Sequence, residues 1–337
     1  MPDFKPSSTR SSTRKKKKRR SKTNSDNSAS QKSSQSHLKS LTPQEVLQQS
    51  QLAHTSIPTL IELGILTAKG GASPHARRKI KQVSHFLQLL QPALEDLFQR
   101  YDNPCIIDMG AGKSAISLAL YDRWIRTQQK GHMIAVENRT QLVDKVKHIA
   151  DQGDYHSFSI QDAQILHADI PERAHLVLGL HACDLATDHA LFKAIRAKSD
   201  YIAMVPCCQA ELASKIKQSQ SLDKTHPLWS LWSDPMHRRE FSAHLTNVIR
   251  VYVLRSLGYA VTVTELIGWE HSLKNELILA RRVGRYHKES QHKLQQLLQQ
   301  ITIQPWLVNQ LQQHNILSFA ASDSPTSSDN SASSSDL

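Results

Sequence analysis

The stretch Cys105-Ile-Ile-Asp-Met-Gly-Ala-Gly-Lys-Ser-Ala-Ile-Ser-Leu-Ala-Leu120 constrains this chain most. Five strand-like residues, 105–109, run into two glycines, Gly110 and Gly112, and then into an apolar helix. Such a strand–glycine turn–helix unit bares backbone N–H groups and lets a ligand approach the main chain closely. It predicts an α/β domain with a ligand site at the carboxyl end of its first strand. The plain alternative is a tight turn with no ligand.

Three ligand chemistries compete for the turn. A phosphate-cradling loop needs a glycine five positions before Gly112-Lys113-Ser114, where Ile107 stands, so that reading fails. A dinucleotide turn wants a third glycine where Ala115 stands, a replacement that pattern tolerates. The Asp108-x-Gly110-x-Gly112 form suits S-adenosylmethionine, whose zwitterionic methionine end packs over the glycines. A second apolar strand follows, 132–137, and ends in Glu137. A carboxylate there offers two acceptor oxygens to the ribose hydroxyls of a nucleoside. A third strand is expected over 155–160, with Asp162 after it as a partner for an exocyclic adenine amine. Each acid alone reads equally as a solvated loop carboxylate.

Charge is unevenly spread along the 337 residues. Residues 1–37 hold eleven Lys/Arg against two Asp, a net of +9, including the run Arg14-Lys-Lys-Lys-Lys-Arg-Arg20. Residues 323–337 carry three Asp and no base, which leaves +6 of the total +12 on the body, 38–322. The first 37 residues lack the apolar content to offset ordering entropy and are expected to be disordered, as is 321–337. A basic run attracts polyanions such as RNA, or serves as a solubilising or transport tail. No apolar run approaches the roughly 20 residues of a membrane span, and no secretion signal is recognisable. Four cysteines, two of them adjacent, suit reduced thiols in a cytoplasmic setting, or a nuclear one if the basic tail directs it there.

A helical extension is expected over 38–100. Ile80, Val83, Phe86, Leu87 and Leu90 recur at helical spacing, and Gly70-Gly71 with Pro74 mark a loop before them. Arg77, Arg78, Lys79 and Lys81, expected just before that second helix, read first as a solvated charged turn and alternatively as phosphate contacts. Further strands are expected at 175–180, 201–205, 259–266 and 277–283, with a helix at 245–257 ended by Gly258. Strands alternating with helices predict a doubly wound parallel sheet over 101–286, with the last two strands as an antiparallel edge pair. A Gln/Leu-rich helical segment follows at 287–320.

Two strand ends carry unusual chemistry: Gly179-Leu-His-Ala-Cys-Asp-Leu-Ala-Thr-Asp188 and Val205-Pro-Cys-Cys-Gln209. In a doubly wound sheet, ligands sit beyond the carboxyl ends of the strands where strand order reverses. His181, Cys183, Asp184, Cys207, Cys208 and Gln209 are therefore expected beside the acceptor. His181 is the candidate base, since an imidazole titrates near working pH; the other reading is a structural histidine. Cys207 is a candidate nucleophile towards a base, and small apolar packing is the simpler role for all of these cysteines. Adjacent cysteines and the absence of a C-x₂₋₄-C spacing argue against zinc. Asn275, before the last strand, is a candidate rim residue or a turn residue.

These motifs, His-Ala-Cys-x-x-Ala-Thr-Asp and Pro-Cys-Cys, resemble the methyltransferase-32 group of S-adenosylmethionine-dependent enzymes. A related His-x-Cys-Gly-x-Ala-Thr-Asp plus Cys-Cys-His-His pattern marks tRNA 2′-O-methyltransferases that act on the acceptor stem. The similarity extends to Lys79-Ile-Lys-Gln-Val-Ser-His-Phe-Leu87 and to Glu270-His-Ser-Leu-Lys-Asn-Glu-Leu-Ile278. Asp184 and Gln209 depart from the tRNA enzymes, which have glycine and histidine there. The resemblance implies a seven-stranded class I methyltransferase sheet with an antiparallel strand at its edge and S-adenosylmethionine as cofactor. RNA is the favoured substrate, with protein or a small molecule as the alternative, or a non-catalytic RNA-binding role for the same fold. Oligomeric state has no signature in the sequence.

Overall fold

The computed structural model describes residues 43–48, 50–71, 73–180, 182, 184–206, 209–218, 224–225, 229–266 and 276–319. The chain divides after Val46 into two units. Among the described residues, the first unit holds only the start of a short helix, α1 (Pro43–Gln48). All features below belong to the second.

That unit is built on one seven-stranded sheet. In chain order its strands are β1 (Cys105–Met109), β2 (His132–Glu137), β3 (Phe158–Asp162), β4 (Leu176–Leu180), β5 (Tyr201–Val205), β6 (Tyr259–Glu265) and β7 (Glu276–Arg282). Their spatial order is β3-β2-β1-β4-β5-β7-β6. β1 to β5 pair in parallel, and β7 runs antiparallel to both β5 and β6. This is the expected class I sheet, with the reversed strand one place in from the rim. β1 and β5 are buried along their whole length, as strands covered by helices on both faces must be. Strand order reverses between β1 and β4, so the carboxyl ends of β1, β2 and β4 frame a crevice.

Helices α2 (Ile57–Glu62) and α3 (Pro74–Arg100) precede β1. Ser73 caps α3 by accepting the Ala76 amide at 3.1 Å, and Pro74 stands in its first turn. The expected stripe Ile80, Val83, Phe86, Leu87 and Leu90 is buried. It continues through Leu94, Leu97 and Phe98, and Phe98 meets the Trp124 ring at 5.5 Å. Arg77, Arg78, Lys79 and Lys81 lie inside this helix, not in a turn before it.

The connecting helices are α4 (Ala115–Leu120), which runs into a π-helical turn at Tyr121–Arg126, then α5 (Thr140–Gln152), α6 (Leu185–Arg196), α7 (Glu211–Gln218) and α8 (Trp229–Ser233). α9 (Pro235–Ser256), α10 (Lys288–Ile301) and α11 (Trp306–Gln313) complete the set. α9 starts ten residues before the expected 245. Asp234 caps it, accepting from Met236 N at 2.9 Å and His237 N at 3.1 Å, with Pro235 at its start. β3 begins later than expected because Tyr155 leaves the strand to stack on Tyr121, with ring centroids 4.9 Å apart.

Candidate functional site

The glycine turn forms the floor of a cleft of about 300 Å³ at the carboxyl end of β1. Asp108, Gly110, Ala111, Gly112 and Lys113 line one side, and Lys79, Gln82, Val83 and Phe86 of α3 line another. Ala115 and Ile116 of the following helix, Arg139, Leu180 at the tip of β4, and Leu266 after β6 complete it. The Gly110 and Ala111 amides both donate to Val136 O at 2.9 Å, folding the turn against β2. Gly110 and Gly112 adopt φ of 77° and 59°, conformations that cost other residues strain. Both glycines therefore serve the turn's shape; a Cβ on Gly112 would meet Arg139 of the cleft at 3.7 Å, whereas one on Gly110 would face Ile165 and Ala182, outside the cleft lining.

Asp108 is the second-to-last residue of β1 and is 3% exposed. Its Oδ2 accepts from Ser117 Oγ of α4 at 2.6 Å. Burial is the main cause of a pKa pushed up from 3.8 to about 7; the Ser117 bond opposes the shift, and the negative Glu137 adds to it. A cation arriving in the cleft would favour the carboxylate form.

Glu137, at the tip of β2, is equally buried. It accepts the Gly112 amide at 2.8 Å, the Asn138 and Arg139 amides at 3.1 Å, and the Arg139 guanidinium at 2.8 and 3.0 Å. Burial opposes its ionisation, but the Arg139 guanidinium and the Gly112 and Arg139 amides outweigh burial and hold the carboxyl below its ordinary range. Glu137 thus ties the glycine turn to the second strand. The Arg139 side chain is the solvent-facing member of this set, 64% exposed.

The remaining expected site residues divide. Asp162 pairs in register with Glu137 across β2 and β3, but it is exposed and does not line the cleft. Asp184, expected beside the acceptor, is occupied elsewhere: its Oδ1 accepts the Ala210 and Glu211 amides at 2.7 and 3.0 Å and caps α7. It does so from a left-handed backbone, φ 53°. Gln209 is buried, 5% exposed, with its Nε2 3.4 Å from Asn247 Oδ1. His181, Cys183, Cys207, Cys208 and Asn275 lie outside the described residues. Cys105 is a free, buried thiol whose pKa burial raises to about 12, which keeps it protonated.

Behind Asp184 and Gln209 lies a buried ion pair. Arg250 of α9 donates from Nε and Nη2 to both oxygens of Asp188 in α6, at 2.9 and 2.6 Å, with side chains 1% and 5% exposed. Its Nη1 reaches Asn247 Oδ1 at 3.0 Å, and Asn247 in turn donates to Glu276 of β7 at 2.9 Å. This network locks α6, α9 and the β7 entry together beneath the ends of β4 and β5. Among the described residues, no group of His, Cys, Asp or Glu is arranged to hold a metal ion, and no helix is long and apolar enough to cross a membrane.

Residues 78–215 match the model of the methyltransferase-32 family, described as a methyltransferase domain. The chain carries a methyltransferase domain. The matched span runs from α3 through α7 and so includes the glycine turn, Glu137 and both cysteine-bearing strand ends. No curated protein matches the sequence. Among solved structures, a rRNA methylase from Streptococcus thermophilus is 9% identical, with 58% of this chain and 96% of that one covered at a TM-score of 0.38. A precorrin-6y C5,15-methyltransferase from Geobacter metallireducens is 16% identical, covering 58% and 88% at 0.35. The 23S rRNA methyltransferase ErmE is 10% identical, covering 62% and 75% at 0.37.

Sequence reasoning missed the α3 wall of the cleft. Lys79, Gln82, Val83 and Phe86 share one helical face, so the spacing that marked Val83 and Phe86 as inward-facing applies equally to Lys79. Arg139 was also missed, although it stands only two residues beyond Glu137.

Proposed function

We propose that this enzyme transfers a methyl group from S-adenosylmethionine to RNA. The observation that carries the cofactor assignment is the glycine turn with two buried carboxylates, Asp108 and Glu137, at the tips of adjacent strands. The fit is chemical as well as steric. S-adenosylmethionine, when bound, supplies a methyl group on a positively charged sulfur, open to in-line attack. Asp108 and Glu137 give the cleft negative charge for that cation, and Glu137 carries acceptor oxygens for ribose hydroxyls. The bare Gly110–Gly112 backbone admits the amino-acid end. Phe86, Leu180 and Leu266 give the cleft an apolar side, and rate enhancement comes mainly from fixing donor and acceptor in line.

RNA as acceptor is supported by the Arg14–Arg20 basic run, the +6 charge of the body and the motif resemblance to tRNA enzymes. His181, directly after the cleft residue Leu180, is assigned as the base that takes the acceptor's proton, and Cys207 as a neighbour of the acceptor. The test is transfer of labelled methyl groups from S-adenosylmethionine into fractionated RNA and protein of a strain lacking the gene. Label in a discrete RNA band supports the assignment. Label confined to protein or small molecules keeps the methyltransferase and removes RNA.

A further inference from the structure

The cleft contains a cation that none of the foregoing chemistry uses. Lys79 projects from α3 into it, one turn before Gln82 and Val83 and two before Phe86. Lys113, the residue after Gly112, lines the same cleft. Neither lysine has an ion-pair partner among the described residues. Arg139, the third cation lining the cleft, is committed to Glu137. Lys79 is partly buried, and its ammonium is disfavoured first by that burial and then by the charge of Lys113. The Lys113 ammonium lies 3.8 Å from where a Cβ on Gly64 would stand, near enough for its charge to act on Lys79, and an anion arriving at Lys79 relieves both that repulsion and the cost of burial.

We propose that Lys79 is the anchor for the carboxylate of the cofactor's amino-acid end, and so the residue that selects an intact methionine moiety. This rests on S-adenosylmethionine being the cofactor. The geometry favours a small carboxylate over an RNA phosphate. Lys79 stands across the same cleft from Gly110 and Gly112, over which the methionine end packs, and its neighbours Val83 and Phe86 make that wall apolar. The two ends of the zwitterion would then be divided between Lys79 for the carboxylate and the Asp108 side of the turn for the ammonium. A charge-assisted bond in this half-buried setting is about twice as strong as a neutral one. Its loss is expected to lower affinity by about tenfold or more.

The test is calorimetric titration of the full chain with three ligands: S-adenosylmethionine, its decarboxylated form, and 5′-methylthioadenosine. Wild type is expected to prefer S-adenosylmethionine over the decarboxylated form by about tenfold or more. Lys79→Gln should bring that ratio to within about twofold and leave 5′-methylthioadenosine binding unchanged, while Lys79→Arg keeps the preference. A ratio unchanged in Lys79→Gln overturns the assignment while leaving the cofactor reading intact. Equal weakening of all three ligands overturns it in favour of a structural role. Loss of RNA binding with cofactor discrimination retained overturns it in favour of a phosphate contact. Absence of S-adenosylmethionine binding in wild type overturns both readings together.

Discussion

Replacing Asp108 with asparagine tests the electrostatics of the cleft without changing its shape. The side chains are of equal size, and the amide oxygen still accepts from Ser117, which lies 2.6 Å from the carboxylate. Folding raises the Asp108 pKa from 3.8 to about 7, so the native state holds the proton more tightly than the unfolded chain does. The stabilisation this gives is complete below pH 4 and is lost as pH rises towards 7. Between pH 5 and pH 8 the linkage amounts to roughly 2–3 kcal/mol of lost stability. Asparagine cannot ionise, so the variant lacks that slope; any cost of burying the amide shifts its whole curve without tilting it. Urea unfolding of both proteins at pH 5, 6, 7 and 8 reads the difference directly. The variant should gain roughly 2–3 kcal/mol on wild type between the two extremes. Parallel stability curves would refute the reasoning and show that Asp108 is already ionised at pH 5.

The same carboxyl should make cofactor binding pH-dependent. Affinity for S-adenosylmethionine should rise between pH 6 and 8 in wild type and stay level in Asp108→Asn, as followed by calorimetry. Glu137→Gln removes the charge that gathers the Gly112 and Arg139 donors and should weaken the cofactor about 10- to 100-fold. An affinity within twofold of wild type would remove Glu137 from the site. Arg250→Met leaves Asp188 buried and unpaired and should cost about 3–5 kcal/mol of stability. Adding Asp188→Leu should recover part of it, which a double-mutant cycle in urea measures. Gly110→Ala finds room for its Cβ, 3.8 Å from Ile165 and 3.9 Å from Ala182. Its cost should therefore be the backbone strain alone, about 1–2 kcal/mol by thermal melting.

The sheet was legible because its central strands are continuous apolar runs bounded by turn signals. Cys105–Met109, His132–Glu137 and Tyr201–Val205 stand where the sequence puts them. Asp108, Gly110, Gly112 and Glu137 were legible for the same reason: strand tips in a doubly wound sheet are also its ligand positions. Asp184 was not, because the α7 amides it caps are supplied by a loop 26 residues away. The Asp188–Arg250 pair spans 62 residues and leaves no local pattern. Lys79 was hidden among Arg77, Arg78 and Lys81, where helical phase alone separates the cation that lines the cleft from its neighbours. The extra ten residues of α9 were signalled by Asp234-Pro235, a cap and a first-turn proline masked by the charged residues after them.

The most direct test of the central claim is calorimetric titration of the full chain with S-adenosylmethionine at pH 8, in wild type and Gly110→Arg. The account predicts one site per chain in wild type and none in the variant, whose arginine, strained at φ 77° and crowded against Ile165 and Ala182, would distort the turn. No binding in wild type, or equal binding in both, would contradict it.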